Sequence, residues 1–276
     1  MSSAVHPGFT AGWPGGRTLS SGHRIFWWVE VVLVVSIYVV YTLIRSVSAG
    51  SAATAFANAE RIISVQDRLS LNHELAWQQW ALDHHALIVT SNYFYGSAYM
   101  LVTLGTLVYL FRRFPNSYPL WRNALVVGTL LALIGFAFFP LMPPRLLGTH
   151  DVLGGWTFVD TMASYPTLWS FRSGAMNVIS NQFAAMPSLH CGWAMWVCAA
   201  LWPHLRTWWS RAIAVAYVVA TISVVVITGN HFFLDAVGGA VVMGAGFVVA
   251  LLFTRAGRTP VMADDAPSGE ISGQPA

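Results

Sequence analysis

The chain contains no lysine; all fourteen of its basic residues are arginine. Charge of either sign is scarce, at 9% of residues, where soluble domains carry roughly 25%. So few charges cannot cover a soluble globular surface, and a chain that is 56% hydrophobic is not a disordered one. The net charge of +3 comes without a basic run, which leaves nothing suited to a nucleic-acid backbone. Cysteine is limited to Cys191 and Cys198. On a helix that spacing sets them about 10 Å apart, too far for a disulfide, so they read as small packing residues. In place of charge the chain has long apolar runs, thirteen Trp and sixteen Phe. It reads as an all-α polytopic membrane helical bundle.

Six runs read as transmembrane helices, at 25–44, 86–111, 120–141, 188–205, 211–228 and 232–254. The first is too long for the core of a cleavable signal, and Trp27 and Trp28 mark its interface edge. Charges return between 50 and 84. There Ile62, Val65 and Leu69 share a helical face and Asn72 fits a helix cap, which predicts two amphipathic helices in the headgroup layer. A helix that binds a partner protein is the other reading of that segment. Residues 1–24 and 256–276 are expected as disordered tails on a single domain, 25–255. The connection 146–186 holds Trp156, Phe158, Tyr165, Trp169 and Phe171 and is too long to be a plain link. A partly helical cap is expected there.

Six spans put both termini on one side. Nine arginines fall on the segments that include the termini and five on the others, so both termini are expected in the cytoplasm of a cell-membrane protein. The same count brings Arg145, Ser188, His190, His231 and Asp235 together at the outer face.

Polar residues at the start of apolar runs are costly beside hydrocarbon and mark a candidate site. Two stretches qualify, NQFAAMPSLH at 181–190 and TGNHFFLD at 228–235. His231 and Asp235 are four residues apart at a helix start and share a face. A carboxylate on one imidazole nitrogen fixes the tautomer and frees the other nitrogen to attack. His190, on another helix, can supply the general acid. Arg145, Ser188 and Asn230 are the candidate substrate ligands, and the helix starts add N–H donors for phosphate oxygens. Arg145 also reads as a headgroup anchor. Arg172 is a weaker candidate, and Arg122 falls on the inner side. The same histidines and Asp235 could instead hold a metal or a haem, but neither reading uses Ser188 or Arg145. A transporter would need polar residues in mid-membrane, where the runs carry only scattered Ser and Thr.

PSLH at 187–190 followed by GNHFFLD at 229–235 resembles the second and third signature motifs of the type 2 phosphatidic acid phosphatase superfamily. The resemblance implies a six-helix membrane enzyme that needs no metal or other cofactor. It assigns His231 as a nucleophile that becomes a phosphohistidine, Asp235 as its orienter, His190 as the acid for the leaving group and Ser188 as a phosphate ligand. NYFYG, FRRFPNSYPLWRNAL and FFPLMPPRLL, together with the aromatic connection, are similar to one branch, the bacterial inositolphosphotransferases related to inositol phosphorylceramide synthase. The resemblance covers about residues 54–250. It implies transfer of a substituted phosphate, such as phosphoinositol, from a lipid to a lipid alcohol. The alternative is a lipid phosphate phosphatase that releases phosphate from phosphatidic acid or a polyprenyl phosphate to water. The chain also departs from the pattern. The superfamily's first motif carries a Lys and an Arg, and only Arg145 stands for them here. Val225 replaces the arginine six residues before the third-motif histidine, and Tyr99 stands where the branch often has a histidine.

Overall fold

In hydrocarbon every backbone N–H and C=O must be satisfied within the chain, which leaves helices as the form the apolar runs adopt. The computed structural model describes residues 16–47, 51–148, 157–165, 167 and 182–256. Residues 1–15 and 257–276 of the expected tails lie outside the described residues, as do His150, Trp156, Trp169, Phe171 and Arg172. The helices are α1 (Trp27–Val47), α2 (Ala52–Arg68), α3 (Glu74–Leu82), α4 (His85–Arg113) and α5 (Tyr118–Phe138). Two single turns follow, α6 (Pro144–Leu147) and α7 (Thr161–Ser164). Then come α8 (Leu189–Leu201), α9 (Trp208–Ile227) and α10 (Phe233–Ala256). A small antiparallel hairpin, β1 (Gly16–Thr18) with β2 (Arg24–Phe26), occupies part of the segment expected to be a disordered tail.

Four described helices are long and apolar enough to cross a membrane: His85–Arg113, Tyr118–Phe138, Trp208–Ile227 and Phe233–Thr254. They coincide with the second, third, fifth and sixth expected runs. The first run is helical from Trp27, and its shorter apolar part is Trp27–Val40. The fourth run differs from expectation. Its helix α8 has 13 residues, about 20 Å of rise against a hydrocarbon core of about 30 Å. Pro203 lies in a 3₁₀ turn, Trp202–His204, that follows it. Trp202 and Pro203 prolong the apolar run in sequence without prolonging the helix. By length and composition the six expected spans are therefore four among the described residues.

α8 is a central helix. Cys191, Ala194 and Ala200 on it are fully buried, and it packs on α4, α5, α9 and α10. Small residues permit the approach. A Cβ on Gly239 of α10 would lie 2.4 Å from the Ser188 carbonyl oxygen and 3.0 Å from the Gly192 nitrogen. α5 and α10 meet likewise, with a Cβ on Gly246 falling 2.6 Å from the Ala124 carbonyl oxygen. Between helices in lipid such close packing supplies much of the attraction, because lipid is as apolar as the side chains. The outward surface carries the remaining apolar residues, among them Leu101, Phe138, Val241 and Phe253.

The two ends of the bundle differ. At one end the Ser20 N–H donates to Asn116 Oδ1 (2.7 Å), which ties the hairpin to the α4–α5 link. There Phe114 stacks on His204 with ring centroids 3.6 Å apart, and Trp121 on α5 stacks on Phe247 of α10. The candidate residues lie at the other end.

α2 and α3 form where two amphipathic helices were expected, but they face differently. The buried face of α2 is Ala55, Asn58, Ala59, Ile62, Ile63 and Gln66, while Val65 and Leu69 point outward. This face packs beneath the turn that carries Arg145, with Ala55, Ala59, Ile62 and Ile63 against Leu141, Met142 and Leu147. α3 is polar inward and aromatic outward: Glu74 and Gln78 are fully buried while Trp77 and Trp80 are exposed. Asn72 does not cap α3. Its Nδ2 donates to the Ile63 carbonyl (3.3 Å) and its Oδ1 accepts from Gln66 Nε2 (2.9 Å), so it closes the turn back onto α2.

Candidate active site

TGNHFFLD forms a tight turn into α10. Gly229 takes φ +68°, a left-handed conformation, and a Cβ there would meet Arg145 Cβ at 3.2 Å. Its carbonyl accepts the Arg145 N–H (2.8 Å), which joins the PPR turn to this one. The Val225 carbonyl accepts the N–H groups of Asn230 (3.0 Å) and His231 (3.1 Å). The residue in place of the superfamily arginine thus holds the turn through its backbone.

His231 Nδ1 lies 3.2 Å from Asp235 Oδ2, which also accepts the Phe232 N–H at 2.9 Å. Asp235 is fully buried and His231 is 4% exposed. With Nδ1 on the carboxylate, Nε2 is the free nitrogen, and His231 lies on the wall of a cavity of about 330 Å³. His190, from the first turn of α8, sits beside it with ring centroids 5.6 Å apart. Tyr95 stacks on His190 at 4.3 Å and 18°, and Tyr99 packs at 4.3 Å and 56°. Both tyrosines come from α4. The position where the branch often carries a histidine is therefore in contact with the catalytic-acid candidate.

Of the six candidate residues, His190, His231, Arg145 and Asn230 line the cavity. Asp235 lies behind His231. Ser188 lies off the wall: it is fully buried and caps α8, its Oγ accepting the Cys191 N–H at 3.3 Å. The Ser188 N–H donates to the Asp235 backbone carbonyl (2.9 Å), which fixes α8 to the start of α10. Asn230 gives Nδ2 to Thr228 Oγ1 (2.9 Å). Two arginines line the cavity, Arg145 at the histidine end and Arg122 at the far end. Arg122 pairs with Glu30 at 2.5 Å.

The first turn of α10 is already occupied. Beyond the Phe232 N–H on Asp235, the Phe233 N–H donates to Glu74 Oε1 (3.0 Å) and the Leu234 N–H to Gln66 Oε1 (3.1 Å). Gln66 Nε2 joins the two side chains at 2.6 Å. The N–H donors expected to meet phosphate at this helix start are held instead by α2 and α3. Glu74 and Gln66 had no signal in the sequence, because charged and amide groups on an amphipathic segment are read as its outward face.

Asp160 was also not foreseen. Its Oδ2 lies 2.8 Å from an Arg145 guanidinium nitrogen, and its Oδ1 accepts the N–H groups of Met162 and Ala163. The segment around it is fastened to the bundle. Val159 bonds Gln78 through both its N–H and its carbonyl, and Thr161 Oγ1 donates to Asn92 Oδ1 and contacts the Thr228 carbonyl. Met162, 1% exposed, lines the cavity beside the site. Among the described residues no group of three or more His, Cys, Asp or Glu side chains is placed to hold a metal ion.

The structure thus defines a helical membrane protein with a carboxylate-bound histidine, a second histidine and a guanidinium at one end of an internal cavity. The chain belongs to the PAP2 superfamily, whose model matches residues 60–249. Members of that superfamily are typically phosphatases or phosphotransferases, which points to an enzyme of lipid phosphates. No curated protein and no solved structure matches the chain.

Proposed function

We propose that this protein is an integral-membrane enzyme that transfers a substituted phosphate, such as phosphoinositol, from a phosphate-bearing lipid to a lipid alcohol through a phosphohistidine at His231. The observation that carries the reading is the His231–Asp235 pair, with Nδ1 on a buried carboxylate and the ring on the cavity wall. Nε2 attacks phosphorus, the N–P bond forms and the P–O bond to the leaving lipid alkoxide breaks. His190 gives that oxygen its proton. The acceptor alcohol then loses its proton to His190 and attacks phosphorus, which breaks the N–P bond and restores both histidines. Arg145, oriented by Asp160, matches two phosphate oxygens with its planar fork. Asn230 adds an amide at the wall, and Ser188 holds His190 in register through its cap of α8.

Hydrolysis is the same chemistry with water as acceptor. Transfer is supported by the apolar Met162 side chain on the cavity wall beside the site, carried by a segment that Thr161 fastens to Asn92. The test is a product assay on purified protein in detergent, with labelled phosphatidic acid and labelled phosphatidylinositol, each with and without ceramide, and His231→Ala as the blank. A new phospholipid that appears only with the acceptor is the expected result. Free phosphate from phosphatidic acid without acceptor would make the protein a lipid phosphatase.

The reading includes six membrane-crossing segments in the cell membrane, both termini in the cytoplasm, α2 and α3 in the outer headgroup layer and the site at the outer leaflet. Arginine placement supports the sidedness, and the outward Trp77 and Trp80 of α3 support the interfacial position. A Gln79→Cys variant on α3 is expected to react with a membrane-impermeant thiol reagent in intact cells. Labelling only after lysis would reverse the orientation.

A further inference from the structure

The cavity does not stop at the histidines. Its wall follows α5 from Phe136 to Arg122, a separation of about 21 Å by helical rise. It follows α4 from Tyr95 to Leu107, about 18 Å. Leu33, Val34 and Ile37 of α1 close one side, and the lining is mostly aliphatic and aromatic. The far end is different in kind. Arg122 meets Glu30 of α1 at 2.5 Å, and the Tyr118 hydroxyl donates to the other Glu30 oxygen at 2.9 Å. Glu30 and Tyr118 are buried. Arg122 is partly exposed, but opening the pair would leave the buried Glu30 carboxylate without its counter-charge, so the contact resists a chain pushed against it. An apolar chain gains nothing by passing such a floor.

We propose that this cavity is a slot for one acyl chain of the lipid whose phosphate reaches His231, and that Glu30, Tyr118 and Arg122 form a floor that reads chain length. The inference rests on the phosphoryl-transfer reading and narrows its substrate class. The substrate is an acylated phospholipid with a chain near membrane length, not a polyprenyl phosphate, whose chain is far longer than the slot. The chain's direction follows from the site, because a phosphate at His231 and Arg145 leaves the apolar length as the place for its tail. Burial of each added methylene stabilises the complex until the chain meets the floor.

The experiment uses dioctanoyl, dipalmitoyl and dibehenoyl phosphatidylinositols, with ceramide as the acceptor for turnover, and undecaprenyl phosphate. Binding to the full-length His231→Ala protein in detergent is read by thermal stabilisation, and turnover is read with the wild type. Affinity is expected to rise by about tenfold or more from dioctanoyl to dipalmitoyl. It should then fall by a similar factor for dibehenoyl and for undecaprenyl phosphate. Val126→Trp places an indole on the cavity wall one turn from Arg122. It should shift the optimum towards shorter chains, lowering the dipalmitoyl-to-dioctanoyl affinity ratio about tenfold. Equal binding of dipalmitoyl, dibehenoyl and undecaprenyl lipids, or an unchanged ratio in Val126→Trp, overturns the slot. Length-dependent binding with no turnover of any lipid keeps the slot and removes the phosphoryl-transfer reading. Turnover without length dependence does the reverse.

Discussion

The His231→Ala variant is expected to lose turnover of phosphate lipids by about 10⁴-fold or more, the scale on which removal of an activated nucleophile or its base is felt. The imidazole has no substitute in its surroundings: its Nδ1 is committed to Asp235, and the neighbouring His190 is packed between Tyr95 and Tyr99. His190 cannot swing into the vacated place without breaking that stack. The fold should survive, because Asp235 keeps the Phe232 N–H and the Ser188 N–H remains on its backbone carbonyl. His231→Asn, which retains a donor towards the carboxylate, is the matched variant for separating lost chemistry from lost stability. Asp235→Asn is expected to cost less than His231→Ala, since it disturbs the tautomer and removes no bond-forming atom. Turnover within about tenfold of wild type in His231→Ala, with an unchanged melting profile, would sink the phosphohistidine mechanism.

How much of this was legible in the chain depended on whether the signal was periodic. His231 and Asp235 were found because four residues on a helix is one turn, and the structure brings their side chains to 3.2 Å. Arg145 was found because two prolines end a helix and set the next residue at the bundle end; Pro144 indeed opens a single turn there. Ser188 was recognised as special, but the property the structure displays is its cap of α8. Other partners had no periodic mark. Asp160 sits fifteen residues beyond Arg145 in an irregular connection, and only the folded chain returns it. Glu74 turns inward because α3 reverses the usual arrangement, with Trp77 and Trp80 outside and Glu74 and Gln78 fully buried, and Gln66 ends the buried face of α2 beside it. Polar groups can be buried this way only when partners await them, and here the open N–H groups of α10 are those partners. The arginine count sets Arg122 on the inner side, and in the structure it lines the cavity at the end away from the histidines. A linear reading had no means of showing that one cavity joins the two ends.

Gly239→Ala should damage both stability and turnover, because it adds a methyl where α10 meets the start of α8. The new Cβ would lie 2.4 Å from the Ser188 carbonyl oxygen and 3.0 Å from the Gly192 nitrogen. Both are backbone atoms, so no side-chain rotamer relieves the clash and α8 must move away as a body. Overpacking of this kind costs about 1–3 kcal/mol. The larger effect is geometric. Ser188 is the residue through which α8 is hydrogen-bonded to Asp235, and His190 follows it by two positions. A shift of about 1 Å in that contact separates His190 from His231, and misplacement on that scale costs about 10²-fold in rate. The expected result is a lower melting temperature in detergent and a fall in turnover larger than the lost stability explains. Gly244→Ala is the control on the same helix, because a Cβ there meets nothing within 4 Å. That substitution should leave turnover unchanged and raise helix stability slightly, since glycine costs a helix interior up to about 1 kcal/mol relative to alanine. If the two variants melted and turned over alike, the approach of α8 to α10 would not be what sets the two histidines against each other.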